Sequence, residues 1–269
     1  MNARLLIIDP QNDFCDIPGA ALPVAGADAD LGRLAAFMRA AGDHLTDITV
    51  TLDTHASVGI ERTTFWSTIT GGPVEPFTLI TADDLRAGRF APRDATRTAD
   101  VLRYLQALER GGRYQLVVWP VHCVLGTWGH NIHAGVAAEV ARWESESQRN
   151  VNRVLKGLNP MTEQYSAVQA EVPVETDAST QTNRALIARV RPDDALLLVA
   201  GEAASHCVAA TVGHLFAAMS ADERRRVIIL RDCMSPVAGF EEQAEKFLAD
   251  AVAQGARVMT TIEARAALN

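Results

Sequence analysis

Short apolar runs, each closed by a polar or charged residue and followed by a stretch with helical periodicity, recur along this chain. Residues 4–9 (RLLIID) are apolar at consecutive positions, as a strand buried on both faces must be. Comparable runs lie at 47–53 (DITVTLD), 114–119 (YQLVVW), 151–156 (VNRVLK), 195–200 (ALLLVA) and 226–231 (RVIILR). Between them, residues 28–41, 136–148, 180–190, 206–219 and 240–254 read as helices, the first with Leu31, Leu34, Ala35 and Met38 on one face. Strands alternating with helices indicate βαβ units, and so an α/β fold of three layers around a six-stranded, mainly parallel sheet.

One segment breaks the rhythm. A long insertion, about 57–112, separates the second run from the third. Its first part, 57–92, is rich in Gly, Pro and Thr. Residues 96–110 then form an amphipathic helix with Val101, Leu102, Leu105 and Leu108 on one face, stopped by Gly111-Gly112. That face must be buried, on its own subunit or on another. Such an excursion at one end of a sheet acts as a lid, a pocket wall or a subunit contact. We read it as part of one domain spanning residues 1–269.

Composition removes several function classes. With 48% hydrophobic and 22% charged residues over 269 positions, the chain suits a soluble globular fold with ample core. A net charge of −8 without a basic run argues against nucleic acid or an anionic membrane surface as partner. No apolar stretch reaches the roughly 18 residues of a spanning helix. The opening Met-Asn-Ala-Arg runs into a short strand rather than a signal peptide, so a cytoplasmic protein is expected. The four cysteines, Cys15, Cys123, Cys207 and Cys233, form no C-x-x-C pair and no disulfide framework.

In an open parallel sheet, ligands bind at the carboxyl ends of the strands. Those ends here carry Asp9, Asp53-Thr54-His55, Trp119-Pro120-Val121-His122-Cys123, Lys156-Gly157 and Gly201–Cys207. Cys207 stands where a small-residue turn enters a helix. Backbone N–H groups there favour a thiolate or hold an oxyanion. By itself it reads more readily as a buried structural thiol. Asp9 and Lys156 add a proton acceptor and a cation, although each alone reads as an ordinary strand-end charge. Asp53, His55 and His122 offer oxygen and nitrogen donors suited to Zn, Fe or Mn, with positions left open for water. A strand-end histidine also serves as a hydrogen-bonded loop residue.

The strings Ile8-Asp9-Pro10-Gln11-Asn12-Asp13-Phe14, Asp53-Thr54-His55, Trp119-Pro120-Val121-His122-Cys123, Lys156-Gly157 and GEAASHCV at 201–208 resemble the isochorismatase-like cysteine hydrolases, and within them the nicotinamidase branch. The resemblance runs in order from Leu5 to about Val237, apart from the insertion. It implies a catalytic triad of Asp9, Lys156 and Cys207 and an oxyanion hole from the N–H groups of Ala203 and Cys207, with a cis peptide before Ala203. It implies a metal, zinc foremost with iron or manganese as alternatives, on Asp53, His55 and His122, and a pocket for a flat ring near Phe14, Trp119 and Tyr165. The chain departs from the pattern at Glu61, where the family often has a second metal histidine. Glu61 is therefore a possible further ligand. Glu202 replaces an apolar residue, and His206 stands where Tyr is common.

The expected activity is hydrolysis of a small aromatic carboxamide through a thioester, releasing ammonia. Two alternatives remain at this stage. One is a metal-free relative acting on carbamoyl, ureido or isochorismate-type substrates. The other is a catalytically inactive binding protein of the same fold. A homo-oligomer with a small-molecule amide as its partner is expected. His130, His133 and His214 read as solvated, Cys123 and Cys233 as buried thiols, Phe65 and Trp66 as packing, and Arg224-Arg225-Arg226 as a solvated turn.

Overall fold

In the computed structural model, which describes residues 1–269, ten strands and nine α-helices follow one another along the chain. Strand β1 (Ala3–Ile8) leads into helix α1 (Ala27–Ala41) and strand β2 (Leu45–Asp53). The excursion then contributes β3 (Trp66–Thr68), β4 (Thr78–Ile80), α2 (Ala82–Arg86), β5 (Phe90–Pro92), α3 (Thr98–Gly111) and β6 (Leu116–Val118). Helix α4 (Ala134–Ser147), strand β7 (Asn152–Lys156), helix α5 (Arg184–Val190) and strand β8 (Leu196–Gly201) follow. The chain ends with α6 (Ala209–Ala218), α7 (Ala221–Arg224), β9 (Val227–Leu230), α8 (Glu241–Ala253), β10 (Arg257–Met259) and α9 (Thr261–Leu268).

The main sheet has six strands in the order β10-β9-β8-β1-β2-β7, and every pairing is parallel. Successive side chains of a strand point to opposite faces, and the central strands obey this. Leu6 and Ile8 of β1, Leu197 and Val199 of β8 and Val227 and Ile229 of β9 enter one core with residues of α5, α6 and α8. Leu5 and Ile7, Leu198 and Ala200, and Ile228 and Leu230 enter the other, against α1, α4 and α9. Helices thus cover both faces, giving the expected three layers. No helix is long and apolar enough to cross a membrane.

Two sequence expectations fail at the sheet. The run at 114–119 does not join it: only Leu116–Val118 is extended, and it pairs antiparallel with β4. The helix before it, α3, turns its apolar face away from the sheet, so the chain makes no crossover onto it. Val101, Leu105 and Leu108 pack with Ile60, Trp66, Ile80 and Val118 in a third core made by the excursion itself. The apolar face is therefore buried within its own chain, and the excursion extends to Val118. The sixth strand is instead β10, three half-buried residues without an apolar run to announce it.

The chain leaves β1 for β2 and β7 on one side, then returns through β8 to the other. The order reverses beside β1, and the crevice at such a switch point is where open α/β sheets bind ligands.

Candidate active site

Strand ends assemble the polar set. Past β1, Asp9 adopts a left-handed backbone conformation (φ 46°) that turns a fully buried carboxylate under the crevice. Its Oδ1 accepts the Thr51 hydroxyl at 2.5 Å, and its Oδ2 lies 2.9 Å from Lys156 Nζ. Gln11 then stitches β1 to β2: its amide donates to Asp53 O at 2.8 Å and accepts from Asp53 N at 2.7 Å. Asp13 accepts from Cys123 N at 2.7 Å and so fixes the turn that carries His122. The polar residues after β1 are thus largely structural clamps on the other strand ends.

Lys156, at the end of β7 and buried, is the hub. Its ammonium sits 2.8 Å from Asp53 Oδ1, 3.2 Å from Gln164 O and 3.5 Å from Cys207 Sγ, besides Asp9. Burial alone would lower its pKa, but Asp53 and Asp9 hold it well above the ordinary value. Burial pushes the Cys207 thiol well up, and Asp9 and Asp53 add to this against the pull of Lys156. Burial also raises Asp9 against the same lysine. Burial thus raises the proton affinity of both the Cys207 thiol and the Asp9 carboxylate, with the Lys156 ammonium opposing it at each. Gly157 follows because nothing larger fits. A Cβ there would lie 2.6 Å from the His55 ring, on backbone with φ +78°.

Cys207 occupies a π-helical turn, Ala204–Val208, that feeds α6. The peptide bond between Glu202 and Ala203 is cis. Ala203 and Cys207 line one pocket together with Phe14, Trp119 and Tyr165, the expected ring contacts. The sequence reading missed two further residues of this wall. His206 lies edge-on to Trp119 at 5.3 Å, its pKa lowered to about 4 by burial. Glu163 accepts from Trp119 Nε1 at 3.2 Å and is pushed up to about 8 by burial, with Glu61 adding to the effect. It sits in an irregular segment with no period to mark it, and its only signal is an acid seven residues beyond Lys156.

Asp53, His55 and His122 form the second centre, all buried, with ligand atoms within 4.8 Å of one another. Asp53 Oδ2 is 2.8 Å from His55 Nε2 and 3.3 Å from His122 Nε2. Three donors converging, with both Nδ1 atoms turned to other groups, could hold a transition metal. Glu61 does not join them. Its Oε1 lies 3.2 Å from His55 Nδ1 and 3.0 Å from Arg62 Nε, behind the histidine rather than beside Asp53. Burial would raise Asp53, yet His55 and Lys156 hold it well below the carboxylate range. Against burial, Asp53 raises His55 to about 9, while burial and Arg62 lower His122 to about 4. His130, expected in solvent, is buried and meets Thr54 Oγ1 through Nε2 at 2.9 Å.

No protein-family model matches the chain, and no curated protein matches it in sequence. Solved structures match over nearly its whole length. The yeast nicotinamidase Pnc1p is 21% identical, with a TM-score of 0.64 over 96% of this chain and 99% of that one. The pyrazinamidase of Pyrococcus horikoshii, solved in complex with zinc, is 21% identical with a TM-score of 0.56, covering 97% and 99%. An isochorismatase family protein from Desulfovibrio vulgaris is 20% identical with a TM-score of 0.54, covering 99% and 98%. The chain thus has the isochorismatase-like fold, shared with nicotinamidases and pyrazinamidases.

Proposed function

We propose that this protein is a cysteine amidohydrolase that releases ammonia from a small aromatic carboxamide of the nicotinamide kind. The observation that carries the reading is the Lys156 ammonium, 3.5 Å from Cys207 Sγ and 2.9 Å from Asp9, at the wall of a pocket lined by aromatic rings. Asp9 takes the thiol proton as Sγ attacks the carbonyl carbon. The N–H groups of Ala203 and Cys207 receive the developing oxyanion. Asp9 returns the proton to the departing nitrogen, and ammonia leaves a thioester. Asp9 next takes a proton from water, whose oxygen attacks the thioester carbonyl. The carboxylic acid departs and the proton returns to sulfur. Lys156 keeps two carboxylates and a thiol compatible in a buried space throughout. Phe14, Trp119 and Tyr165 stack on and orient the ring.

Asp53, His55 and His122 would hold one divalent transition metal, zinc foremost. When bound, it supplies a Lewis acid for a ring nitrogen or a water at the pocket floor. The convergence of these three donors, and the zinc complex of a pyrazinamidase that shares the fold, support this assignment. The test is ammonia release across aromatic and ureido amides, with and without a chelator. Aromatic carboxamides should be turned over, and chelation should abolish that turnover until metal is restored. Turnover confined to ureido compounds, or indifferent to the chelator, would overturn the reading.

A further inference from the structure

The two histidines of the metal set are backed by opposite charges. Behind His55 stands a carboxylate: Glu61 Oε1, 3.2 Å from Nδ1. This is the usual partner of a metal-bound imidazole, and it fixes the Nδ1–H tautomer that leaves Nε2 free to ligate. Behind His122 stands a guanidinium. Arg62 is fully buried, and its Nη1 lies 2.5 Å from His122 Nδ1 and 3.2 Å from Pro120 O. A guanidinium only donates and does not lose its proton in a protein. His122 Nδ1 thus lies between this donor and an oxygen that only accepts, Pro120 O at 2.8 Å. Nε2 faces Asp53 Oδ2 at 3.3 Å. To ligate through Nε2, His122 must carry its proton on Nδ1 and donate it to Pro120 O. Arg62 Nη1 points at the same atom, so two donors would meet.

The pair is built in. Arg62 Nε donates to Glu61 Oε1 at 3.0 Å. Gly59 makes room for that carboxylate, since a Cβ there would sit 2.8 Å from Oε1 and 2.9 Å from Oε2. Arg62 Nη2 and Glu61 Oε2 are buried without partners, so the pair is satisfied only on the side facing the histidines.

We infer that Arg62 is a metal-tuning residue: by setting a second donor against the Nδ1–H that ligation through Nε2 requires, and by placing a permanent cation beside the site, it makes His122 the labile arm and the metal exchangeable. Asp53 and His55 form the anchored half. The inference rests on the metal reading above and deepens it.

The test uses the full-length, metal-depleted protein and Zn²⁺ in competition with a chromophoric chelator. Arg62→Met should bind Zn²⁺ at least about tenfold more tightly than wild type, within the range second-shell changes produce. Because Arg62→Met strands Glu61, the double variant Glu61→Gln/Arg62→Met is compared with Glu61→Gln alone, and the same direction is expected. In a His122→Ala background the Arg62 effect should largely vanish. Nitrogen chemical shifts of His122 in the metal-free protein should report Nε2–H in wild type and Nδ1–H in Arg62→Met. Equal or weaker Zn²⁺ binding by both Arg62 variants, with unchanged tautomer, would overturn the inference while leaving the metal site intact. Absence of Zn²⁺ binding in wild type and every variant would instead defeat the metal reading itself.

Discussion

Lys156 belongs to two centres at once. Its ammonium neutralises Asp9, beside the proposed nucleophile, and Asp53, in the proposed metal set. Removing it leaves two buried carboxylates close together, and breaking a buried ion pair on one side costs about 3–5 kcal/mol. Lys156→Met is therefore expected to lower thermal stability strongly as well as to abolish turnover, so inactivity of that variant does not isolate chemistry. Cys207→Ala does, because it removes a neutral thiol and leaves every charge paired. We expect it to lose ammonia release to background while its melting temperature stays within a few degrees of wild type. Cys123 is also buried and its pKa is likewise pushed well above the ordinary value by burial, with Asp53 and Asp13 adding to this, but only Cys207 lines the pocket beside Lys156. Cys123→Ala should keep most of the activity. Substantial turnover by Cys207→Ala, or loss on Cys123→Ala with the fold intact, would reverse the assignment.

Elements divide sharply in how far the sequence exposes them. Strands β1, β2 and β8 lie inside the sheet and bury both faces; β1 and β8 leave apolar runs, while β2 buries Thr49 and Thr51 among its apolar residues. Each ends at or runs on into a segment of the site, which is why Asp9, Asp53 and Cys207 were legible without coordinates. The run at 116–118 misleads because apolarity reports burial, not which sheet does the burying. Arg62 and Glu163 stayed hidden because the groups they face across the site, His122 and Trp119, come from segments distant in the chain. The corner after β8 held another such group. Glu202 is fully buried, accepts from Ser235 N at 3.1 Å and faces Asp30, with Asp16 nearby. Burial first, then Asp30, raises its carboxyl well above the ordinary 4.5. A raised folded pKa means the folded state holds the extra proton. Its contribution is complete below pH 4.5 and is lost as pH rises above that toward the folded value. Glu202→Gln keeps the acceptor for Ser235 N and cannot ionise. Its melting temperature relative to wild type should therefore rise as pH is raised above 4.5. A difference that is flat with pH would show that Glu202 titrates normally.

At the scale of the molecule, the excursion between β2 and β7 has a core of its own, centred on Trp66, whose ring is fully buried and donates from Nε1 to Ile60 O at 2.6 Å. Backbone bonds tie that core to the segments around the proposed metal set. Trp119 N donates to Glu61 O at 2.7 Å, Arg62 bridges to Trp119, and His55 bridges to Val124. Asp9, Lys156 and Cys207 depend instead on strand ends of the main sheet. Loosening the excursion should therefore disturb the metal centre before the nucleophile. Trp66→Ala removes the largest side chain of this core, at a cost of about 3–5 kcal/mol. Cooperative units of a protein open separately when their contacts are largely internal. We expect hydrogen exchange to accelerate across residues 60–118 while β1 and β8 keep their protection. Zn²⁺ affinity should fall, because Glu61 no longer fixes the His55 ring, and Cys207 should remain open to alkylation at an unchanged rate. An equal loss of protection in β1 and β8 would mean that the excursion and the sheet unfold as one body, and that the two centres cannot be separated by this route.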